Sequence, residues 1–149
     1  MLASGWKESP DLTVIAGGEA VSSLVCREIG PRVKRLINGY GPTETTVFAT
    51  LGPLSTNQTE PVPIGPPIAN SRAYVLDPSG QLLPPMVPGE LFIGGQSPTR
   101  GYLNRPELTT ERFRNDPFVG CESNDGLSPK MYATGDVVYW GHDLSLIHI

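Results

Sequence analysis

The sequence predicts an α/β chain that opens with a βαβ unit and passes into short antiparallel strands. Three observations carry that reading. An apolar run, a Gly-Gly turn, a helix-spaced segment and a second apolar run follow one another between Asp11 and Ile37. The chain holds 17 Gly and 16 Pro in 149 residues, more than a fifth of its length where roughly 12% is usual. Beyond Ala49 the prolines break every helical period until a single short segment at Pro106.

The first run, Leu12-Thr13-Val14-Ile15-Ala16, reads as a strand, and Gly17-Gly18-Glu19 turns it. Val21, Leu24, Val25 and Ile29 then fall at helical spacing, with Ser22 and Ser23 near the start. Gly30-Pro31 ends that helix: Gly readily takes the left-handed cap conformation and Pro cannot continue the ladder. Val33-Lys34-Arg35-Leu36-Ile37 is the second strand. In open α/β sheets ligands gather at the carboxyl ends of such strands, where both Gly17-Gly18 and the segment after Ile37 lie.

Pro53, Pro61, Pro63, Pro66 and Pro67 make the next stretch a loop with extended pieces. Arg72-Ala73-Tyr74-Val75-Leu76 is a strand stopped by the turn Asp77-Pro78-Ser79-Gly80, and Gly89-Glu90-Leu91-Phe92-Ile93-Gly94-Gly95 is another. Pro106 to Phe113 forms one short helix, with Pro at its first position, Glu107 early and Arg112 late. Met131-Tyr132-Ala133-Thr134 and Val137-Val138-Tyr139-Trp140 bracket Gly135-Asp136 as a hairpin-like pair, and residues 121–130 form a surface loop.

Composition excludes several roles. With 11 Lys+Arg against 15 Asp+Glu and a formal charge of −4, the chain lacks the basic patch that binding to nucleic acid or anionic lipid requires. No run approaches the roughly 20 apolar residues that span a bilayer, and residues 1–10 lack a signal pattern, so a cytoplasmic protein is expected. Charged residues are only 17% against roughly 25% in a typical soluble domain, which suggests surface covered by further chain. Cys26 and Cys121 stand far apart outside any Cys/His cluster, and His142 and His148 lack Cys partners; disulfide scaffold and zinc site are poor readings. There is no Walker phosphate loop and no Gly-x-Ser-x-Gly elbow.

The densest constellation is Asn38-Gly39-Tyr40-Gly41-Pro42-Thr43-Glu44-Thr45-Thr46. Two glycines flanking an aromatic let backbone approach a ligand while the ring lies against a flat partner. A hydroxyl beside a carboxylate, Thr43 and Glu44, suits a phosphate oxygen and its Mg²⁺. The same residues also read as a tight turn with Glu44 solvated and Tyr40 in the core. Thr134-Gly135-Asp136 presents a carboxylate that can accept the two hydroxyls of a ribose, or is simply a structural turn. Gly17-Gly18-Glu19 places bare backbone at a ligand edge, or is an ordinary connection.

At these residues a family becomes recognisable. Asn38-Gly39-Tyr40-Gly41-Pro42-Thr43-Glu44 resembles the Asn-x-Tyr-Gly-Pro-Thr-Glu motif of nonribosomal peptide synthetase adenylation domains, members of the adenylate-forming, AMP-binding superfamily. Gly89 to Gly95 running into Thr99-Arg100-Gly101-Tyr102-Leu103 is similar to a second motif, Tyr132-Ala133-Thr134-Gly135-Asp136 to a third, and Ile64-Gly65-Pro66-Pro67-Ile68-Ala69-Asn70 to the connecting segment. The resemblance implies activation of an amino acid by ATP and Mg²⁺ to an aminoacyl adenylate, with release of pyrophosphate. Loading onto the phosphopantetheine thiol of a carrier domain would follow, beside condensation domains of the same synthetase. By resemblance Tyr40 stacks on adenine, Gly17, Gly18, Asn38, Gly39 and Gly41 line the nucleotide, and Asp136 binds the ribose. Thr43 and Glu44 are the catalytic pair, Thr43 touching the α-phosphate and Glu44 holding the metal. Val14, Ala16, Gly39, Val47 and Phe48 would form the aminoacyl pocket, all apolar, which favours an uncharged substrate side chain.

The resemblance further implies an internal fragment of the large N-terminal subdomain, inactive alone. Residues 1–52 would end its α/β sheet and carry the nucleotide-binding loop, and 53–143 would form a small distorted β-barrel. The phosphate loop and the Asp that meets the substrate amine would precede Met1, and the subdomain with the catalytic Lys would follow Ile149. Thr99 stands where the family usually has Ala. Residues 144–149 depart from the family's Asp-Gly, strand, Gly-Arg pattern and read as that strand truncated or as a non-native tail. An acyl-CoA or aryl-acid ligase of the same superfamily, or a noncatalytic binding or interface module, remain the alternatives. Pro42 is the residue that favours the amino-acid branch.

Overall fold

A computed structural model describes residues 5–120 and 129–149; the expected loop at 121–130 lies almost wholly outside them, as does Cys121. Strand β1 (Ser9–Gly17) leads through helix α1 (Ser23–Ile29) to β2 (Val33–Tyr40), and the two strands pair in parallel. This is the expected βαβ unit. Strand β3 (Thr50–Pro53) adds to β2 antiparallel, giving the sheet order β1-β2-β3. Sequence alone did not reveal β3, because Pro53 ends it after four residues.

The helix closes over the sheet because Cys26 and Ile29 project from one face onto Leu36 and Val62, with Val14, Ala16 and Val21 packed around them. Its end differs from the expectation. Gly30 is right-handed, φ −50°, and continues into a 3-10 turn of Gly30, Pro31 and Arg32. Pro31 lacks only an N–H that such a first turn leaves unpaired anyway, so no left-handed cap is required.

The second half is antiparallel, as expected: β4 (Ser71–Leu76), β5 (Gly89–Gly95), β6 (Phe113–Asn115), β7 (Lys130–Trp140) and β8 (Leu146–His148). β5 lies between β4 and β7, while β6 and β8 pair with β7. Helix α2 (Pro106–Arg112) starts on its proline as expected. Leu91 and Ile93 face one apolar cluster with Val75 and Val138, and Phe92 faces another with Leu76, Met131 and Ala133. β5 is thus buried on both sides, which explains its unbroken apolar run. The Asp77 turn forms as read: its Oδ1 accepts the N–H groups of Ser79 at 2.8 Å and Gln81 at 2.9 Å, and Gly80 has φ +79°.

The hairpin expected at Gly135-Asp136 does not form. β7 runs straight through, and its register against β5 slips between Phe92↔Ala133 and Glu90↔Val137. Gly135 at φ +82° absorbs the extra residues as a bulge. The Thr134 hydroxyl donates to the Leu91 carbonyl at 2.8 Å and accepts the Asp136 N–H at 3.0 Å. A Gly-Asp turn and a Gly bulge share one local signature; the partner strand β5 decides between them.

Candidate functional site

Because β1 and β2 are parallel, with Ala16 beside Asn38 and Gly17 beside Gly39, their carboxyl ends deliver both glycine segments to one edge. A cleft of about 400 Å³ opens there. Gly18, Asn38, Gly39, Tyr40, Gly41 and Asp136 all line it, so residues 96 positions apart meet at one surface. Gly18 has φ +87° and open space where a side chain would be, so bare backbone faces the cleft.

The opposite wall was not legible in the sequence: Glu60, Pro61, Val62 and Ile64. Asn38 fixes it, since its buried amide donates to the Pro63 carbonyl at 2.8 Å. Glu60 accepts the Ser23 N–H at 2.6 Å, which holds its carboxyl below the usual range. The prolines that marked this segment as loop are the signal that could have located the wall.

Across the cleft the Tyr40 hydroxyl donates to Asp136 Oδ2, joining the two sheets. Burial, and then the Asp136 charge, push the Tyr40 phenol well above its ordinary value. The β7 bulge is what aims Asp136 here. His148, on β8, lies with Nε2 3.5 Å from Asp136 Oδ1, an ion pair only when the imidazole is protonated.

Thr43 and Glu44 stand beside the cleft rather than on its walls. They lie in a 3-10 turn entered from Pro42 and left through Thr46 at φ +60°, with Thr45 fully buried and its hydroxyl bonded to the Pro42 carbonyl at 3.0 Å. The Thr43 residue is exposed. Glu44 is half-buried, not solvated: its Oε1 accepts the Tyr102 hydroxyl at 2.5 Å. Burial raises the Glu44 carboxyl, but the bond from Tyr102 and further donors outweigh it, and the net shift is downward. An ionised carboxylate beside an exposed hydroxyl fits Mg²⁺ held by one carboxylate, water and phosphate. Among the described residues no group of three or more His, Cys, Asp or Glu gathers into an all-protein metal cage.

The five residues assigned to an aminoacyl pocket do not gather as a set. Val14 and Ala16 pack in the cluster beneath α1, and Val47 is 67% exposed. Phe48 lies on Gly39: its ring carbons stand 2.6 and 2.8 Å from where a Gly39 Cβ would be. The backbone at Val47 and Ala49 likewise fills the space over Gly41. Two of the glycines thus serve close packing of the chain on itself, and Gly18 alone of the cleft's glycines faces open space. Tyr102, which the sequence placed in a motif but not in the site, reaches Glu44 because Gly101 takes φ +126°.

Comparison with known proteins gives a family model, AMP-binding enzyme, matching residues 5–103. A linear gramicidin synthase of Brevibacillus parabrevis is 53% identical over 131 residues, 87% of this chain and 2% of that protein. Tyrocidine synthase 3 of the same organism is 44% identical over 129 residues, 85% of this chain and 2% of that protein. Among solved structures, a holo four-domain nonribosomal peptide synthetase bound to AMP and glycine superposes with a TM-score of 0.85 at 37% identity. It takes in 99% of this chain and 11% of that one. The chain therefore spans only a few per cent of the length of these curated relatives.

Proposed function

The chain belongs to the AMP-binding enzyme family, and on that premise we propose that it forms part of an adenylation domain of a nonribosomal peptide synthetase. Such a domain joins an amino acid to ATP, releases pyrophosphate, and passes the aminoacyl adenylate to the phosphopantetheine thiol of a carrier domain. One observation carries the reading. Three motifs far apart in sequence converge on a single cleft of nucleotide size, with Gly18, Asn38 to Gly41 and Asp136 on its walls.

ATP and Mg²⁺ supply the electrophilic α-phosphorus and the charge that offsets the departing pyrophosphate. The substrate carboxylate is itself the nucleophile, so the chain's residues position and neutralise. Asp136 accepts the ribose hydroxyls while Tyr40 fixes one of its oxygens and presents a ring to the base. Thr43, exposed, would offer its hydroxyl to a phosphate oxygen, and Glu44 would hold the metal. Residues 1–52 belong to the α/β part and 53–143 to the β part of the large subdomain. Of the residues expected to meet the amino acid, Gly39, Val47 and Phe48 are left outside the cluster beneath α1 and are apolar, which suits an uncharged side chain. Partner domains are carrier and condensation domains, and the ATP supply places the reaction in the cytoplasm. Among the described residues no helix is long and apolar enough to cross a membrane.

The test is amino-acid-dependent ATP–pyrophosphate exchange by the protein with its reading frame extended in both directions. Exchange with one amino acid supports the reading and names the substrate. A folded, ATP-binding protein that exchanges with none belongs to the acyl- or aryl-acid ligases or to noncatalytic domains. In an active protein Asp136→Asn is expected to raise KM for ATP about 10–100-fold, the worth of a charged hydrogen bond at about 1.5–3 kcal/mol, with KM for the amino acid unchanged.

A further inference from the structure

We infer that Tyr102 is a positioning residue for Glu44: its hydroxyl grips one carboxylate oxygen and so fixes the orientation in which the carboxylate would meet the metal. Tyr102 Oη stands 2.5 Å from Glu44 Oε1, and the same loop also holds the Glu44 main chain, whose carbonyl accepts the Thr99 N–H at 2.7 Å. Both halves of Glu44 are therefore fixed by one segment, residues 99–102. That matters because Glu44 rides on a three-residue turn, where an unsupported carboxylate would sample several rotamers.

The gripping hydroxyl is itself fixed. The Tyr102 N–H donates to Thr109 Oγ1 at 2.9 Å, on helix α2. Gly101 lets the chain reach it, since a Cβ there would collide with the Thr109 methyl, at a φ of +126°. The Tyr102 ring meets Phe113 edge-on, centroids 5.6 Å apart, and its hydroxyl lies 3.3 Å from that of Tyr132. Helix α2 and strands β6 and β7 thus converge on Tyr102, whose hydroxyl holds Glu44 Oε1. Support of this kind, applied to a ligand from behind, typically changes metal affinity by about 10–100-fold.

The inference rests on the reading of Glu44 as the Mg²⁺ carboxylate. It is tested on the complete synthetase with Tyr102→Phe, which removes the hydroxyl and keeps the ring. Mn²⁺ binding to the ATP complex, followed by electron paramagnetic resonance, is expected to weaken about tenfold. The Mg²⁺ concentration giving half-maximal pyrophosphate exchange should rise by a like factor. Half-saturation is a property of the folded molecules, so partial loss of folded protein does not mask it. Thr109→Val, which frees Tyr102 without touching Glu44, should move the metal dependence the same way by a smaller factor. Metal dependence in Tyr102→Phe equal to wild type, whatever happens to Tm, makes the bond merely structural and overturns the inference. Metal dependence and Mn²⁺ binding in Glu44→Gln equal to wild type overturn the reading of Glu44 instead, so the two failures are distinguishable.

Discussion

Replacing Glu44 by Gln in the complete synthetase is expected to lower ATP–pyrophosphate exchange about 10²–10³-fold, a loss of about 3–4 kcal/mol of transition-state stabilisation. Tm should move by no more than about 2 °C. The two expectations separate because of how Glu44 is held. The Thr99 N–H bonds its main-chain carbonyl, which the substitution leaves alone, and the Tyr102 hydroxyl can donate to an amide oxygen as it does to Oε1. Only the charge is lost, and charge is what a Mg²⁺ ligand contributes. A carboxylate that merely ties two loops together would give the reverse, a clear drop in Tm with activity retained. The pH dependence carries a sign as well. The folded-state carboxyl titrates below its ordinary value, so the ionised form stabilises the fold above the unfolded value, roughly 4.3. That contribution disappears as pH falls through the lower folded value. The stability difference between wild type and Glu44→Gln should therefore be present at neutral pH and vanish in acid, as denaturant melts across that window would record.

Much of this arrangement was legible in the residues because local chemistry decided it. Gly17-Gly18 after an apolar strand and Gly39 after the next had to lie at one edge once the βαβ unit was read, and Gly17 pairs with Gly39. What escaped was decided by partners remote in sequence. Thr134-Gly135-Asp136 carries the residues of a turn, and only the register of β5 makes it a bulge. Gly39 and Gly41 read as bare backbone for a ligand, yet the Phe48 ring and the Ala49 backbone occupy the space beside them. Val14 and Ala16 have the apolar character of a pocket and equally that of a helix-packing face, and they pack beneath α1. Tyr102 is one aromatic among five tyrosines; its bond to Glu44 needs the approach of α2, which no periodicity at residue 102 announces.

Gly65→Ala is the substitution expected to cost most in stability, about 2–5 kcal/mol. Two penalties add at this position. A φ of +85° costs an L side chain about 1–2 kcal/mol. Its Cβ would also stand 2.5 Å from the Gly52 Cα and closer still to the Gly52 nitrogen; those are backbone atoms of β3, and overpacking of that kind costs about 1–3 kcal/mol. At about 2–4 °C per kcal/mol for a domain of roughly 150–250 residues, and less for a larger one, Tm should fall by several degrees. Gly80→Ala separates the two penalties, because Gly80 has nearly the same φ, +79°, with nothing within 4 Å of its would-be Cβ. It should lose only the conformational part. Equal losses at the two positions would mean that the glycine-on-glycine crossing of residue 65 over β3 is not a close contact. Unequal losses have a functional counterpart. Gly65 follows Ile64, which lines the cleft, and Pro63, whose carbonyl anchors the Asn38 amide, so pushing this segment off β3 moves the cleft's far wall. In molecules that still fold, Gly65→Ala should raise KM for ATP while Gly80→Ala leaves it unchanged, which ties the wall's position to the one residue type that fits beneath it.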